Sequence, residues 1–394
     1  SGPGEPKNAL VAIDIASGAM TPLWQDSDFA AAPRLAPDGD RIAWIAWDHP
    51  NMPWDATALN VARFAPNGTL TQIFTIASAR DGFSVMQPCW SADGTLYYLS
   101  DEPGDWSLYR WRGGVAELVA HLDGEIGGPV WNFGARAFAL IDERLAVAAL
   151  TRNGVDSLVT IDLVTGTARP LAAPFTAIMQ RVLADGRSAV VLAASAEDGY
   201  ALHRVPIDGG PATLVHRPAG AAIPPGFAAH PHALSFATSD DATAHAFYYP
   251  PLNPGYAAPA DTHPPLIVTA HGGPTSASKP SLTAWRTYWT SRGFAILDVN
   301  YRGSSGFGRA YRKALDGRWG EADIADVVAG ARYCAANGLA EGEHPLPLHE
   351  GRGGDDMRLA GNHLDHPLPA GHLAAGTGDL HMRGHAKDAG TQLA

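Results

Sequence analysis

The residues best suited to chemistry lie in PPLIVTAHGGPTSASKP, positions 264–280. His271-Gly272-Gly273-Pro274 follows a short apolar run, Leu266 to Ala270, that does not alternate with polar residues. Such a run suits a strand buried on both faces of a mostly parallel sheet, which places the turn at the strand's carboxyl end. Two adjacent glycines let a backbone approach a ligand closely, and their N–H groups can point at a developing negative charge. Gly272 and Gly273 are therefore candidate oxyanion donors for acyl-transfer chemistry.

An oxyanion hole has a use only beside a nucleophile. No Gly-x-Ser-x-Gly elbow occurs in the chain. Gly303-Ser304-Ser305-Gly306 comes near but has Phe307 where the second glycine belongs. Ser276-Ala277-Ser278-Lys279 matches a Ser-x-x-Lys pattern, but Pro274 and Pro280 bracket it and no Lys-Thr-Gly partner exists, so it reads as a chance match. His363 with His366 and His381 with His385 have helical spacing, yet Gly384 and the missing apolar face argue against a helix that would hold a metal. No metal and no cofactor are expected.

The elements around the turn read as an α/β sheet. ALSFATSDDATAHAFYYPPLNPG from Ala233 gives two strands about an Asp-Asp turn, and FAILDVN at 294–300 gives a second buried strand after the helix-compatible LTAWRTYWTSRG. A Gly-rich loop, Asn300 to Gly308, leads to a helix expected over about 321–337, with Ile324, Val327, Val328, Ala331 and Cys334 on its apolar face and Asn337-Gly338 as its stop. Strands alternating with helices imply a parallel sheet.

The first 232 residues differ. Five apolar strand, Gly turn, strand units centre on Gly18, Gly68, Gly113, Gly166 and Gly209, spaced by 50, 45, 53 and 43 residues. That period, with several strands per unit, is the mark of propeller blades. Preceding hairpins with Asp38-Gly39, Asp93-Gly94 and Asp185-Gly186 turns, and a weaker one from Pro129, complete four blades and leave residues 9–23 as a fragment. Trp44, Trp47, Trp54, Trp90, Trp106 and Trp131 are read as inter-blade packing in preference to ligand contacts. Glu125, beside Trp131, is either an acid for a peptide's free amino terminus or a solvated loop carboxylate.

With 28 basic and 40 acidic residues and a net charge of −12, the chain has no basic patch for nucleic acid or an anionic membrane. Cys89 and Cys334 are too far apart in sequence to form a disulfide framework, and no apolar run approaches the roughly 20 residues that span a bilayer. A cytoplasmic location is expected. The last 54 residues hold 7 of the 16 histidines and no Val, Ile, Phe, Tyr or Trp, so no strand of the sheet is expected from them. They read as a low-complexity tail, disordered or out of frame.

LIVTAHGGPTSASKP, FAILDVNYRGSSGFGRAYRKALDGRWGEADIADVVAGARYCAANGLA and the AHAFYYPPLNP approach resemble the catalytic domain of the prolyl oligopeptidase family of serine peptidases, nearest its bacterial dipeptidyl and acylaminoacyl peptidase branch. The resemblance implies a β-propeller, here partial over 1–232, followed by the N-terminal half of an α/β-hydrolase domain over 233–340, with 341–394 as the tail. It implies a chain incomplete at both ends, and an oligopeptide substrate cleaved through a Ser-Asp-His triad that this chain does not contain. It places the better oxyanion donor at Gly273, and it leaves Arg302 either positioning the loop or facing substrate. Trp319, Asp323 and Asp326 read as helix-start and packing residues, not triad acids. A non-catalytic propeller that binds a partner, or an esterase relic on the same fold, is the alternative.

Overall fold

The computed structural model describes residues 8–219, 223–273, 275–341 and 346–347. Residues 10–216 form antiparallel sheets that follow one another along the chain. A hairpin of Leu10–Ile13 and Met20–Trp24 comes first. Four larger sheets then span 29–77, 85–120, 125–170 and 177–216, of four, four, five and five strands. The Asp-Gly turns expected at 38–39, 93–94 and 185–186 each join two paired strands, with the glycine at positive φ.

Each large sheet buries a face against the next. Ile45 and Leu59 meet Val85 and Leu96, Leu99 and Trp106 meet Phe138 and Ile161, and Val147 and Leu158 meet Val191 and Val205. This serial packing is a propeller-like arrangement. Trp44, Trp47, Trp54 and Trp106 are buried within it, whereas Trp131, packed on Trp54, is 40% exposed and also reaches Thr275.

The remaining strands make one sheet in the order His232–Ala237, Thr243–Tyr249, Ala295–Asn300, Leu266–Ala270, Leu346–Pro347. The first two pair as an antiparallel hairpin about Asp240 and Asp241, and the last three run parallel. The sheet is thus mixed, with an antiparallel pair added to a parallel core. Leu266–Ala270 is buried along its whole length because both sheet faces are covered there, Leu266 and Val268 clustering with Ala331 and Cys334 and Ile267 with Trp285 and Trp289. The two-residue strand Leu346–Pro347 corrects the expectation that residues beyond 340 contribute none. Parallel pairing there needs only backbone register beside Ile267 and Val268, which a short apolar dipeptide supplies. The histidine pairs of the tail lie outside the described residues. No helix among the described residues is long and apolar enough to cross a membrane.

Helices α1 (Ala284–Thr290), α2 (Gly308–Lys313) and α3 (Ala322–Ala336) connect these strands. The buried stripe of α3 differs from the expected one. Ala322, Asp323, Asp326, Gly330, Ala331 and Cys334 are buried, while Ile324, Val327 and Val328 are only half-buried. The reason is close approach: a Cβ on Gly330 would fall 2.9 Å from Leu297 Cδ2 and Phe236 Cζ, so the helix seats small residues against the sheet. Trp319 is 53% exposed and so is not a packing residue.

Asp323 is fully buried, and among the described residues neither carboxylate oxygen has a hydrogen-bond partner. Burial raises its pKa, opposed in part by backbone N–H groups at Ile324, Asp323 and Gly320. The favourable contribution of such a group is complete below the unfolded value near 3.8 and is lost as pH rises through the folded value. Asp323→Asn is therefore expected to raise the melting temperature at pH 8 by about 2–4 °C, with the gain closing toward pH 4. A gain that is largest at pH 4 would show that the carboxylate is not carrying this cost.

Candidate functional site

The turn after Leu266–Ala270 leaves Gly272 and Gly273 exposed and His271 half-buried. Gly273 has φ +66, a conformation that side chains with a Cβ rarely adopt. Tyr301, 1% exposed, donates its hydroxyl to the carbonyl of Gly273 at 2.6 Å and approaches that of His271 at 3.1 Å. Both carbonyls are thereby drawn to one side. Neither the Gly272 nor the Gly273 N–H meets an acceptor among the described residues. The turn thus holds two free backbone donors in fixed geometry, which is the chemistry an oxyanion requires.

His271 is part of that frame. Its ring stacks on Tyr301 with centroids 4.5 Å apart, and its Nε2 lies 2.6 Å from Ser304 Oγ. Ser304 gives its own proton to the carbonyl of Tyr301 at 2.7 Å, so the histidine must carry hydrogen on Nε2 and donate it to Ser304. Burial pushes the His271 pKa down to about 4, with nearby carbonyls and Asp298 opposing the shift, so the ring stays neutral near pH 7. Ser304 is fully buried with its proton committed, and it is not an attacking group. Ser305 is held by the carbonyl of Ser276 through both its N–H and its hydroxyl. In the Ser-x-x-Lys segment, Ser278 donates to Asp298 and Lys279 turns away to Asp156, 2.6 Å off.

Arg302 is 4% exposed, and its guanidinium is occupied. It pairs with Asp326 of α3 at 2.8 Å, donates to Ser239 Oγ at 2.7 Å and reaches Asp240 at 3.3 Å. Its own N–H also donates to Asp326. Of the two roles left open for Arg302, the geometry supports loop positioning and not substrate contact. The planar fork needs a carboxylate that presents two oxygens, and α3 supplies one.

Glu125 also departs from expectation. It is 1% exposed, not solvated. One oxygen accepts the N–H groups of Gly306 at 2.6 Å and Gly308 at 3.3 Å, and the other faces Arg312 at 3.4 Å. Arg312 and Arg309 both pair with the fully buried Asp101. Burial raises the Glu125 pKa, while Arg312 and the two N–H groups oppose the rise. These partners leave the carboxylate no free face for a substrate amine. It holds the Gly-rich loop against the antiparallel sheets instead.

Three participants were not assigned from sequence. Tyr301 and Ser304 fix the turn, and Trp131 reaches it from the antiparallel region. The Trp131 indole N–H donates to the carbonyl of Thr275 at 2.6 Å, and its ring packs on Trp54 with centroids 4.3 Å apart. The only sequence signal for Tyr301 was its place just after a buried strand, near the start of the Gly-rich loop.

The sequence pattern of the prolyl oligopeptidase family matches residues 280–345. Acylamino-acid-releasing enzyme 2 of Oryza sativa subsp. japonica is 34% identical over 93 residues, 24% of this chain and 12% of that protein. The structure of a puromycin-hydrolyzing peptidase of Mycobacterium tuberculosis superposes with a TM-score of 0.82 at 30% identity, covering 87% of this chain and 53% of the other. A puromycin hydrolase superposes with a TM-score of 0.77 at 35% identity, covering 83% of this chain and 50% of the other. The chain thus spans about half the length of the solved structures it matches. Residues 280–345 thus carry the prolyl oligopeptidase family's pattern, and the likeness of shape to puromycin-hydrolysing enzymes extends over more than four-fifths of the chain.

Proposed function

We propose that this chain is part of a serine-type exopeptidase of the dipeptidyl or acylaminoacyl kind, acting on short peptides. In this reading residues 1–232 are a partial β-propeller of four complete blades and a fragment, and residues 233–340 are the N-terminal half of an α/β hydrolase. Gly273, with Gly272, supplies the oxyanion donors. A serine would attack the peptide carbonyl with a histidine as general base and an aspartate orienting it. The observation that carries the reading is the glycine turn at the carboxyl end of Leu266–Ala270, whose backbone donors meet no acceptor among the described residues. The slot beside that strand, where an elbow's strand belongs in this fold, is taken by Leu346–Pro347.

The sequence as it stands does not continue into an elbow, and after Ser305 it contains no serine at all. Together with the buried, committed Ser304, this supports an inactive chain. A fluorophosphonate probe is expected to leave the purified protein unlabelled, and stoichiometric labelling at any serine would overturn that. The wider reading is tested by translating codons 330–394 of the source gene in all three frames. Another frame should restore an apolar strand and Gly-x-Ser-x-Gly soon after Gly338. If every frame lacks the elbow, the peptidase reading fails for this gene.

A further inference from the structure

Several arginines of the antiparallel sheets are matched to acids: Arg41 pairs with Asp38, Arg63 with Asp40, Arg110 with Glu117 and Arg204 with Asp185. Arg34, Arg136 and Arg181 are not, for none of them has a carboxylate within ion-pair distance among the described residues. Arg34 lies in Phe29–Leu35, while Arg136 and Arg181 lie just ahead of Phe138–Leu140 and Leu183–Ala184. Each of these strands is at the leading edge of its sheet, and the leading edges of neighbouring sheets adjoin. No run of basic residues in the sequence announces the cluster, because its members stand on separate sheets.

The frame beneath the three is stitched. Arg136 and Arg181 are partners in a parallel bridge, so their side chains leave from one face. The Arg136 N–H donates to the carbonyl of Gln180 at 2.8 Å, and its carbonyl accepts from Val182 at 2.8 Å. Gln87 of Val85–Trp90 accepts the Ala137 N–H at 2.6 Å and donates to the carbonyl of Phe138 at 2.7 Å. The Trp90 indole N–H donates to the carbonyl of Arg34 at 3.0 Å. Burial, and then the charge of Arg136, hold Arg34 below the ordinary arginine range, and no carboxylate opposes them. Cys89 stands beside both arginines without countering them, since burial raises its pKa and keeps it a neutral thiol. Like charges fixed together with no counter-ion carry an electrostatic cost that a bound anion relieves.

We propose that Arg34, Arg136 and Arg181 form a binding site for one oxyanion, a phosphate or a carboxylate, where the leading edges of the sheets meet. The planar guanidinium presents its donors as a fork that matches two oxygens of either group at once. The site does not involve Gly273, and it stands or falls apart from the peptidase reading.

The test is anion binding by the intact 394-residue chain, followed by titration calorimetry in chloride at fixed ionic strength. Inorganic phosphate and N-acetyl-alanine supply the two oxyanions, and N-acetyl-alanine amide is the neutral control. At least one oxyanion is expected to bind one-to-one, and the amide not at all. Arg136→Met and Arg34→Met should each weaken that binding about tenfold or more. Arg169→Met, on the outlying strand Ala168–Pro170, should leave it unchanged. Tighter binding of phosphate supports the site with a free phosphate or a phosphorylated molecule as its ligand, and tighter binding of N-acetyl-alanine supports it with a peptide's terminal carboxylate. No binding of either anion to the parent chain, or unchanged affinity in both variants, overturns it. Because Arg136→Met removes a like charge, it should melt at or above the parent temperature, and the better-bound oxyanion should raise the melting temperature of the parent more than that of the variant. A variant that melts well below the parent would show that the arginine is already matched within the fold, which also overturns the site.

Discussion

Arg312→Met is expected to lower the free energy of unfolding by about 3–5 kcal/mol, the usual loss when one member of a buried ion cluster is removed. Arg312 is 4% exposed and stands between Asp101 and Glu125, 0% and 1% exposed, with its guanidinium 5.4 Å from the Trp106 ring centroid. Methionine fills similar volume but leaves both acids without that charge. Arg309 continues to serve Asp101, so the orphan is chiefly Glu125, which keeps only the Gly306 and Gly308 N–H groups. The Glu125 pKa is already raised by burial, so the variant's deficit should shrink as acid neutralises that carboxylate. Denaturant unfolding of Arg312→Met and of Arg312→Met with Glu125→Gln, near pH 5 and pH 8, decides the matter. The double variant should recover part of the loss at pH 8. A single variant within about 0.5 kcal/mol of the parent would mean that the cluster does not join the Gly-rich loop to the antiparallel sheets.

The glycine turn was legible because its signals are local. Two glycines after an unalternated apolar run specify strand, turn and exposed N–H groups within eight residues, Leu266 to Gly273. The repeat was legible for the same reason: each unit closes its hairpin with its own Asp-Gly or Gly turn. Glu125 was misread because its partners lie 181, 183 and 187 residues away, and nothing in EIGGPVWNFG tells a buried carboxylate from a solvated one. Its burial is created by the loop that covers it.

The face of α3 was only partly legible, with Ala331 and Cys334 buried as expected, and the rest differed for another reason. Periodicity assumes that bulky apolar residues point inward, yet Gly330 sits where Leu297 and Phe236 leave no room for a side chain. Helix–sheet distance therefore decided which residues are fully buried, and the larger Ile324, Val327 and Val328 stay half-buried. Asp323 and Asp326 then enter the interior as a matter of geometry, one without a hydrogen-bond partner among the described residues and one paired with Arg302. Trp131 was grouped with packing residues because composition does not distinguish a tryptophan inside a sheet stack from one at its rim.

Arg302→Met tests that pairing and should also cost about 3–5 kcal/mol. Asp326 is fully buried and collects the Arg302 N–H at 2.7 Å, its Nε at 3.0 Å and the Thr238 hydroxyl at 2.8 Å. One residue thereby joins the end of strand Ala295–Asn300, the turn of the 232–249 hairpin and α3. Arg302→Lys should lose a substantial share of the same energy, since a point charge cannot reproduce the fork. Asp240, whose side chain is 54% exposed, should matter little, and Asp240→Ala is expected within about 1 kcal/mol of the parent. Added salt should leave the Arg302→Met deficit almost unchanged, because a buried pair is poorly screened. If Arg302→Met and Asp240→Ala instead cost alike, and both losses fade in salt, then the guanidinium is not a buried tie. The substrate-facing role for Arg302 would return, and the loop beside the oxyanion turn would need another support.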